Sequence, residues 1–537
     1  MHDFNYIIVG GGSAGCVLAN RLSADPDQSV CLLEAGRQDS SFLIRLPAGI
    51  LALMWDPRHN WKYYSEPEPQ MNNRRMYCPR GKVLGGSSSI NAMCFTRGTP
   101  EDFNSWNIEG WAWDDLLPHF IHTQGQTREG MDQSLHGYDG EQLIADVDKS
   151  ADPLSLDFIK AVAESGLAPE NDDFNGKQQE GAGLYQTFQN GRGKRYSAAD
   201  AFLHSVSDRP NLTVISNALV EKVIFENKTA IGVQCIINDK QSRITASSEV
   251  ILSAGAINSP QLLLLSGIGP AEELTKHKIT PVHNLAGVGK NLHDHLDIII
   301  NTRIRGFKGL GISLPYFFKG IVQAIKYFNS GRGHLSSNGA EAGGFVKSDP
   351  ALQNPDLQMH FAPLLLDNHL IRTIGHGHCL HVCNLQPKSR GAVTLKTANP
   401  ADPPAIQFNY CKHPDDLDKM VKAVKIGRKV VDSPSLKRHT TREHTPGDDV
   451  QTDDEIRSFI REKAQTIYHP VGTCKMGTDE LSVVDENLRV YGTTNLRVVD
   501  ASVMPKINSG NTHATVIAIA DKASELISSA CHSKRPQ

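Results

Sequence analysis

The feature that most constrains this chain is its opening stretch, YIIVGGGSAGCVLANRL, from Tyr6 to Leu22. Tyr6 to Val9 is a short apolar run suited to a buried parallel strand. Gly10-x-Gly12-x-x-Gly15 follows at once, and Cys16 to Leu22 reads as a helix. Gly10 permits a tight turn, Gly12 lets the backbone approach a pyrophosphate, and Gly15 lets helix and strand pack closely. The free N–H groups at the helix start then face phosphate oxygens. A second apolar run, Val30 to Leu33, ends on Glu34, nineteen residues past Gly15. A carboxylate there accepts hydrogen bonds from both ribose hydroxyls and repels a 2′-phosphate, which disfavours NADP. The expected fold is α/β, a Rossmann-like unit that binds a dinucleotide. The loop alone leaves FAD and NAD both open.

At 537 residues the chain is long enough for two or more domains. Its composition, 39% hydrophobic and 21% charged, is that of an ordinary globular protein. A net charge of −4 gives no electrostatic reason to expect nucleic acid as a partner. No apolar run approaches the length of a spanning helix. The first strand starts too close to Met1 for a secretory signal, so the expected location is cytoplasmic. Cys379 and Cys383, beside His376, His378 and His381, suggest metal ligands. Residues 379–385 read as a strand, however, and no second ligand pair follows, so no metal is expected.

Further strand-like runs at 212–215, 220–225, 230–237 and 249–252, and a helix at 259–265, belong with the nucleotide unit and make it discontinuous. Residues 343–410 supply strand pieces separated by Gly, Pro and Asn turns, which point to an antiparallel sheet in a second, substrate-side domain. Helices are expected at 415–431 and 452–464, and a surface loop at 124–140. Between the two units, LPYFFKGIVQAIKYF places Phe317, Phe318, Ile321, Ile325 and Phe328 on one helical face. Such a stripe reads first as core. The minority reading is peripheral contact with a membrane or an apolar partner.

Three more segments carry chemistry. Gly81 to Asn91 (GKVLGGSSSIN) is a small-residue loop that can lie against a flat ligand or a pyrophosphate. Gly255 to Gly269 is a small-residue turn leading into a helix with Pro260 in its first turn. Near the end come YHPVGTCKMG (Tyr468 to Gly477), VVDAS (Val498 to Ser502) and GNTHAT (Gly510 to Thr515). With these blocks in this order, the chain resembles the glucose–methanol–choline (GMC) family of flavin oxidoreductases from Tyr6 to Ile527. Its pattern is nearest to the family's bacterial alcohol and choline dehydrogenases.

The resemblance implies FAD and not NAD. It assigns Gly10, Gly12, Gly15 and Glu34 to the ADP half, Val83, Gly86 and Asn91 to the second loop, Val220 to the adenine, and Asp500 with Ala501 to the pyrophosphate region. Some relatives attach the flavin through a histidine just before the loop asparagine. Ile90 stands there in this chain, so the FAD is expected to be non-covalent. The implied division is 1–310 mainly FAD-binding, with substrate-side insertions near 40–75 and 150–195. Residues 311–460 are then mainly substrate-binding on an antiparallel sheet covered by helices, and 461–537 return to the FAD unit.

Alcohol oxidation needs a hydroxyl proton removed and a hydride transferred, and histidine suits the first task. Among 22 histidines, His469 matches the family base. His513 matches the partner position, with Asn511 as the competing assignment. Glu341 matches a carboxylate that meets the trimethylammonium group in choline-oxidising relatives, and it reads equally well as a structural acceptor. The expected substrate is a primary alcohol, with a quinone or another carrier taking the electrons. An oxidase that makes peroxide and, more remotely, a lyase are the alternatives, and the sequence leaves the oligomeric state open.

Overall fold

The computed structural model describes residues 2–147, 151–306, 309–311, 314–367, 371–372 and 374–532. It is a mixed α/β fold built on two seven-stranded sheets. In the first, His2–Val9 lies between Val30–Leu33 and Lys240–Leu252, parallel to both. Leu212–Ile215 extends one side, and the hairpin strands Ala218–Glu226 and Thr229–Ile237 extend the other. Leu496–Val498 joins beside Lys240–Leu252, so the chain returns to its first sheet at the end. The central strand is buried on both faces, as its unbroken apolar run requires.

Register brings this sheet's functional ends together. Val9 stands opposite Leu33 and Leu252, so Gly10, Glu34 and Ser253 leave the same carboxyl edge. Gly10 N–H donates to the Leu33 carbonyl at 2.8 Å, and Ser253 N–H donates to that of Val9 at 2.7 Å. Helix Ser13–Leu22 then starts beneath this edge, which is where open α/β sheets bind ligands.

The second sheet is antiparallel, in the order Thr440–Thr445, Leu296–Ile304, Gly377–Asn384, Leu357–Ala362, Ala342–Val346 and Gly181–Leu184. Gln465–Thr466 adds to Leu296–Ile304 just before His469. Helices Pro153–Glu164 and Pro414–Val431 share an apolar core with this sheet. Cys379 and Cys383 point into apolar clusters within it.

Two expectations need correction. Gln124–Gln126 is not loop but a buried strand parallel to Gln142–Asp146. The polar composition hid it because Gln124 is used internally, on Arg97 and His136. The apolar stripe does form a helix, Leu314–Ser330, yet its face is not core. Ile321 is 47% exposed, Val322 62%, Ile325 57% and Phe328 66%. The helix buries Tyr327 on its other side instead, and Phe328 stacks on the exposed Phe42 at 6.1 Å. Periodicity located the face without saying what covers it. The side chains of Phe317 and Phe318 lie outside the described residues.

Candidate active site

A cleft of about 520 Å³ runs from the carboxyl edge of the first sheet to the floor of the second. Gly10, Gly12, Glu34, Gly86, Asn91, Val220, Asp500 and Ala501 all line it. Its nucleotide end is shaped by backbone contact. A Cβ on Gly15 would meet the Gly10 carbonyl at 1.9 Å, and one on Gly86 would come 2.7 Å from Cα of Gly12. Only glycine lets loop, helix and second loop close this far. Glu34 is buried, accepts from Gly11 N–H at 2.8 Å and Gly36 N–H at 2.7 Å, and is pushed up to about 7 by that burial. Asp500 accepts from Gly255 N–H at 2.8 Å and Ser502 N–H at 2.8 Å, and also from Ser259, with its carboxyl raised by burial.

These residues fit an FAD-sized ligand. The buried Ser253 hydroxyl at this edge has no protein partner among the described residues, so a ligand polar group can meet it. Asn91 is held toward the cleft by Arg195, whose Nη1 donates to its Oδ1 at 2.8 Å. Val83 does not line the cleft; it packs with Ile44, Leu53 and Ile90 behind the loop. Ile90 itself lines the cleft.

At the far end lies His469. Its backbone is fixed from three directions. The amide donates to Asp294 Oδ1 at 2.7 Å, Arg80 Nη2 donates to the carbonyl of Tyr468 at 2.6 Å, and Pro470 follows. Tyr468 holds φ at +75°, a strained value for a non-glycine residue that the surrounding bonds maintain. The His469 ring is buried, and desolvation holds its pKa well below the ordinary imidazole value, helped by His295, His360 and Arg80 nearby.

The geometry brings Asn511, not His513, to this ring. Asn511 Nδ2 lies 3.2 Å from His469 Nε2. His513 is the first residue of the final helix and turns the other way, with Nδ1 3.0 Å from the Ser13 hydroxyl in the glycine loop and its ring edge-on to Phe188. His469 and His513, expected to meet one substrate oxygen, both line the cleft, and it is Asn511 that stands within hydrogen-bond distance of the His469 ring. Two residues of offset at a helix start are enough to send one side chain to the His469 ring and the other to the glycine loop.

Glu341 is turned away as well. It is buried beneath the start of helix Pro153–Glu164, where its Oε2 accepts from Asp152 N–H at 2.7 Å and Ser155 Oγ at 3.1 Å. Among the described residues lining the cleft, the carboxylates are Glu34 and Asp500, both at the nucleotide end. Beyond the nucleotide end the lining includes Leu310, Leu335, Ala362, Leu364, Leu366 and Ile467, together with the polar side chains of Asn338, His360 and His381.

Sequence reasoning missed His295, whose Nδ1 lies 3.1 Å from His469 Nδ1. It sits in NLHDHLDI, where two histidines and two aspartates crowd the start of a strand that is otherwise apolar. That density of titratable groups was the available signal.

A family model described as GMC oxidoreductase matches residues 4–297, and its C-terminal counterpart matches 387–520. An alcohol dehydrogenase (acceptor) of Pseudomonas putida is 49% identical over 531 residues, covering 98% of this chain and 95% of that protein. An oxygen-dependent choline dehydrogenase of Cronobacter sakazakii is 42% identical over 534 residues, covering 98% and 95%. Among solved structures, pyridoxine 4-oxidase from Mesorbium loti superposes with a TM-score of 0.88 at 30% identity, covering 99% of this chain and 100% of that one.

Proposed function

Because the chain belongs to the GMC oxidoreductase family, whose cofactor is FAD, we propose that it oxidises an uncharged primary alcohol to the aldehyde. The single observation that carries this reading is the pair of nitrogens 3.2 Å apart, His469 Nε2 and Asn511 Nδ2, at the apolar end of the cleft. An alcohol oxygen placed beside both donates its proton to Nε2 and accepts from the amide. As the C–O bond gains double-bond character, Asn511 keeps the oxygen in place. Burial keeps His469 unprotonated at neutral pH, ready to take the hydroxyl proton.

Gly10, Gly12, Glu34 and Val220 hold the ADP half of FAD, and Gly86, Asn91, Asp500 and Ala501 its centre. Bound there, FAD supplies the acceptor for the carbinol hydride. Ile90 offers no nucleophile where a histidyl link would form, which supports non-covalent binding. The electrons pass on to a quinone or another carrier. The uncovered face of helix Leu314–Ser330 supports peripheral contact with a membrane, where apolar alcohols and quinones dissolve, since Gly320 and Gln323 of the same helix line the cleft.

The test is a panel of medium-chain alkanols, benzyl alcohols, choline and glucose, read as anaerobic bleaching of the flavin, with peroxide measured in air. The apolar alcohols should bleach it fastest. Preference for choline would overturn the substrate class. Peroxide equal to aldehyde would make the enzyme an oxidase.

A further inference from the structure

Two hydrogen-bond chains converge on His469, and each ends on a backbone carbonyl, a group that only accepts. In the first, His295 Nε2 lies 3.1 Å from the carbonyl oxygen of Leu385, so the His295 ring proton must be on Nε2. Burial pushes His295 down to about 3, so the ring carries no second proton at neutral pH. Its Nδ1 is therefore a lone pair, and it faces His469 Nδ1 at 3.1 Å. One of two facing nitrogens must donate, and His295 cannot.

The second chain starts at the Met359 carbonyl, which accepts from the Tyr185 hydroxyl at 2.8 Å. With its proton committed there, Tyr185 accepts from Gln358 Nε2 at 3.0 Å, which fixes the orientation of that amide. The same nitrogen donates to Asn511 Oδ1 at 3.1 Å, and Thr96 Oγ1 lies 3.2 Å from that oxygen. Asn511 must then present Nδ2 to His469, and Nδ2 only donates. Both chains give the same assignment from opposite sides of the ring.

We propose that His295 and Gln358 are positioning residues that lock His469 in the tautomer with its proton on Nδ1, making Nε2 the acceptor that Asn511 meets in the resting enzyme and that a substrate hydroxyl takes over. The lock rests on the reading of His469 as base only for its kinetic consequence; the tautomer itself is a property of the resting enzyme. Imidazole in water favours neither nitrogen strongly, and with the proton on Nε2 the ring cannot accept the hydroxyl proton at all. His295, His469, Gln358 and Tyr185 are buried and Asn511 is partly so, which leaves few alternative partners and determines the direction of each bond.

The test uses holoenzyme labelled with ¹⁵N-histidine, the His469 signals being identified by their loss in His469→Ala. Nδ1 should show the shift of a protonated nitrogen and Nε2 that of a bare one. His295→Leu and His295→Asn are nearly isosteric, but only asparagine keeps an acceptor where Nδ1 stood. The leucine variant should move the proton toward Nε2 and slow anaerobic flavin reduction about 10²-fold, within the range a positioned base contributes, with KM little changed. The asparagine variant should restore the tautomer and most of the rate. A resting enzyme with the proton on Nε2, or an asparagine variant as slow as leucine with the same tautomer, would overturn the lock. If the tautomer moves as described while His469→Ala leaves reduction intact, the lock stands and the base assignment falls.

Discussion

The two ends of the cleft are built on opposite principles. At the nucleotide end the surface is backbone, drawn together by register and by missing Cβ atoms. Gly10, Glu34 and Ser253 share one sheet edge, and Gly12 touches Gly86. At the alcohol end the surface is side chains, and His295, Gln358, His469 and Asn511 arrive from four distant segments. A backbone site fails all at once when its spacing is disturbed. A side-chain site loses one function at a time.

The sharpest way to break this comparison is Gly15→Val. Its Cβ would sit 1.9 Å from the Gly10 carbonyl, and neither backbone segment can give way. We expect protein without flavin and therefore without activity, read from the absorbance ratio of flavin to protein after purification. A yellow, active Gly15→Val protein would show that the loop does not close as described.

The next effect is smaller and selective. His469→Ala should keep full flavin content while anaerobic reduction by alcohol slows by about 10² to 10⁴-fold. In the wild type the rate should be flat from pH 8 down to 6.5. The ring's pKa is depressed below its ordinary value, so the active neutral form is lost only as pH falls well below that value. Burial sets this, and His295, His360 and Arg80 add to it in the same direction. A rate already falling between pH 8 and 7 would contradict the buried neutral ring.

How much of this was readable in advance follows the same division. The strand, the three glycines and Glu34 lie within one short stretch and obey a local spacing, so the nucleotide end was legible. His469 was legible through the family's pattern around Pro470. The choice between Asn511 and His513 was not, because it depends on where the last helix begins, and helix starts are the least certain feature of a sequence. Gln358 carries no local pattern, and the crowding of histidine and aspartate around His295 does not say which ring it meets, since both residues reach the site through pairing in the second sheet. The exposed stripe on Leu314–Ser330 was misread for a related reason: amphipathicity does not say what lies opposite.

Asn511 and His513 sharpen the comparison between neighbours two residues apart. Asn511→Ala removes a donor to an oxygen that becomes charged as its proton leaves. This should slow flavin reduction about 10- to 10²-fold at unchanged flavin affinity, since hydrogen bonds to charged groups contribute about 1.5–3 kcal/mol. His513→Ala loses the contact with Ser13 beside the phosphates. It should weaken FAD binding about fivefold, as expected for one neutral hydrogen bond, and leave reduction of the bound flavin nearly unchanged. Titrating apoprotein with FAD separates the two, and the reverse pattern would exchange the residues' roles.

The smallest effect is expected at Glu341, and its smallness is informative. A buried carboxylate facing a cationic substrate would make Glu341→Gln lose that substrate selectively. In this fold the carboxylate instead accepts from Asp152 N–H and Ser155 Oγ, and burial raises its pKa, so a neutral side chain of the same shape is tolerated. Glutamine keeps an oxygen acceptor for the Asp152 amide at the helix start. Stability in urea should therefore shift by no more than about 0.5 kcal/mol, and kcat/KM for an apolar alcohol by no more than about twofold. Choline should be a poor substrate of both proteins. If the wild type turns over choline readily and Glu341→Gln abolishes it while alkanol oxidation survives, the side chain reaches the substrate after all, and Glu341 is a wall of the cleft and not a support beneath the helix start.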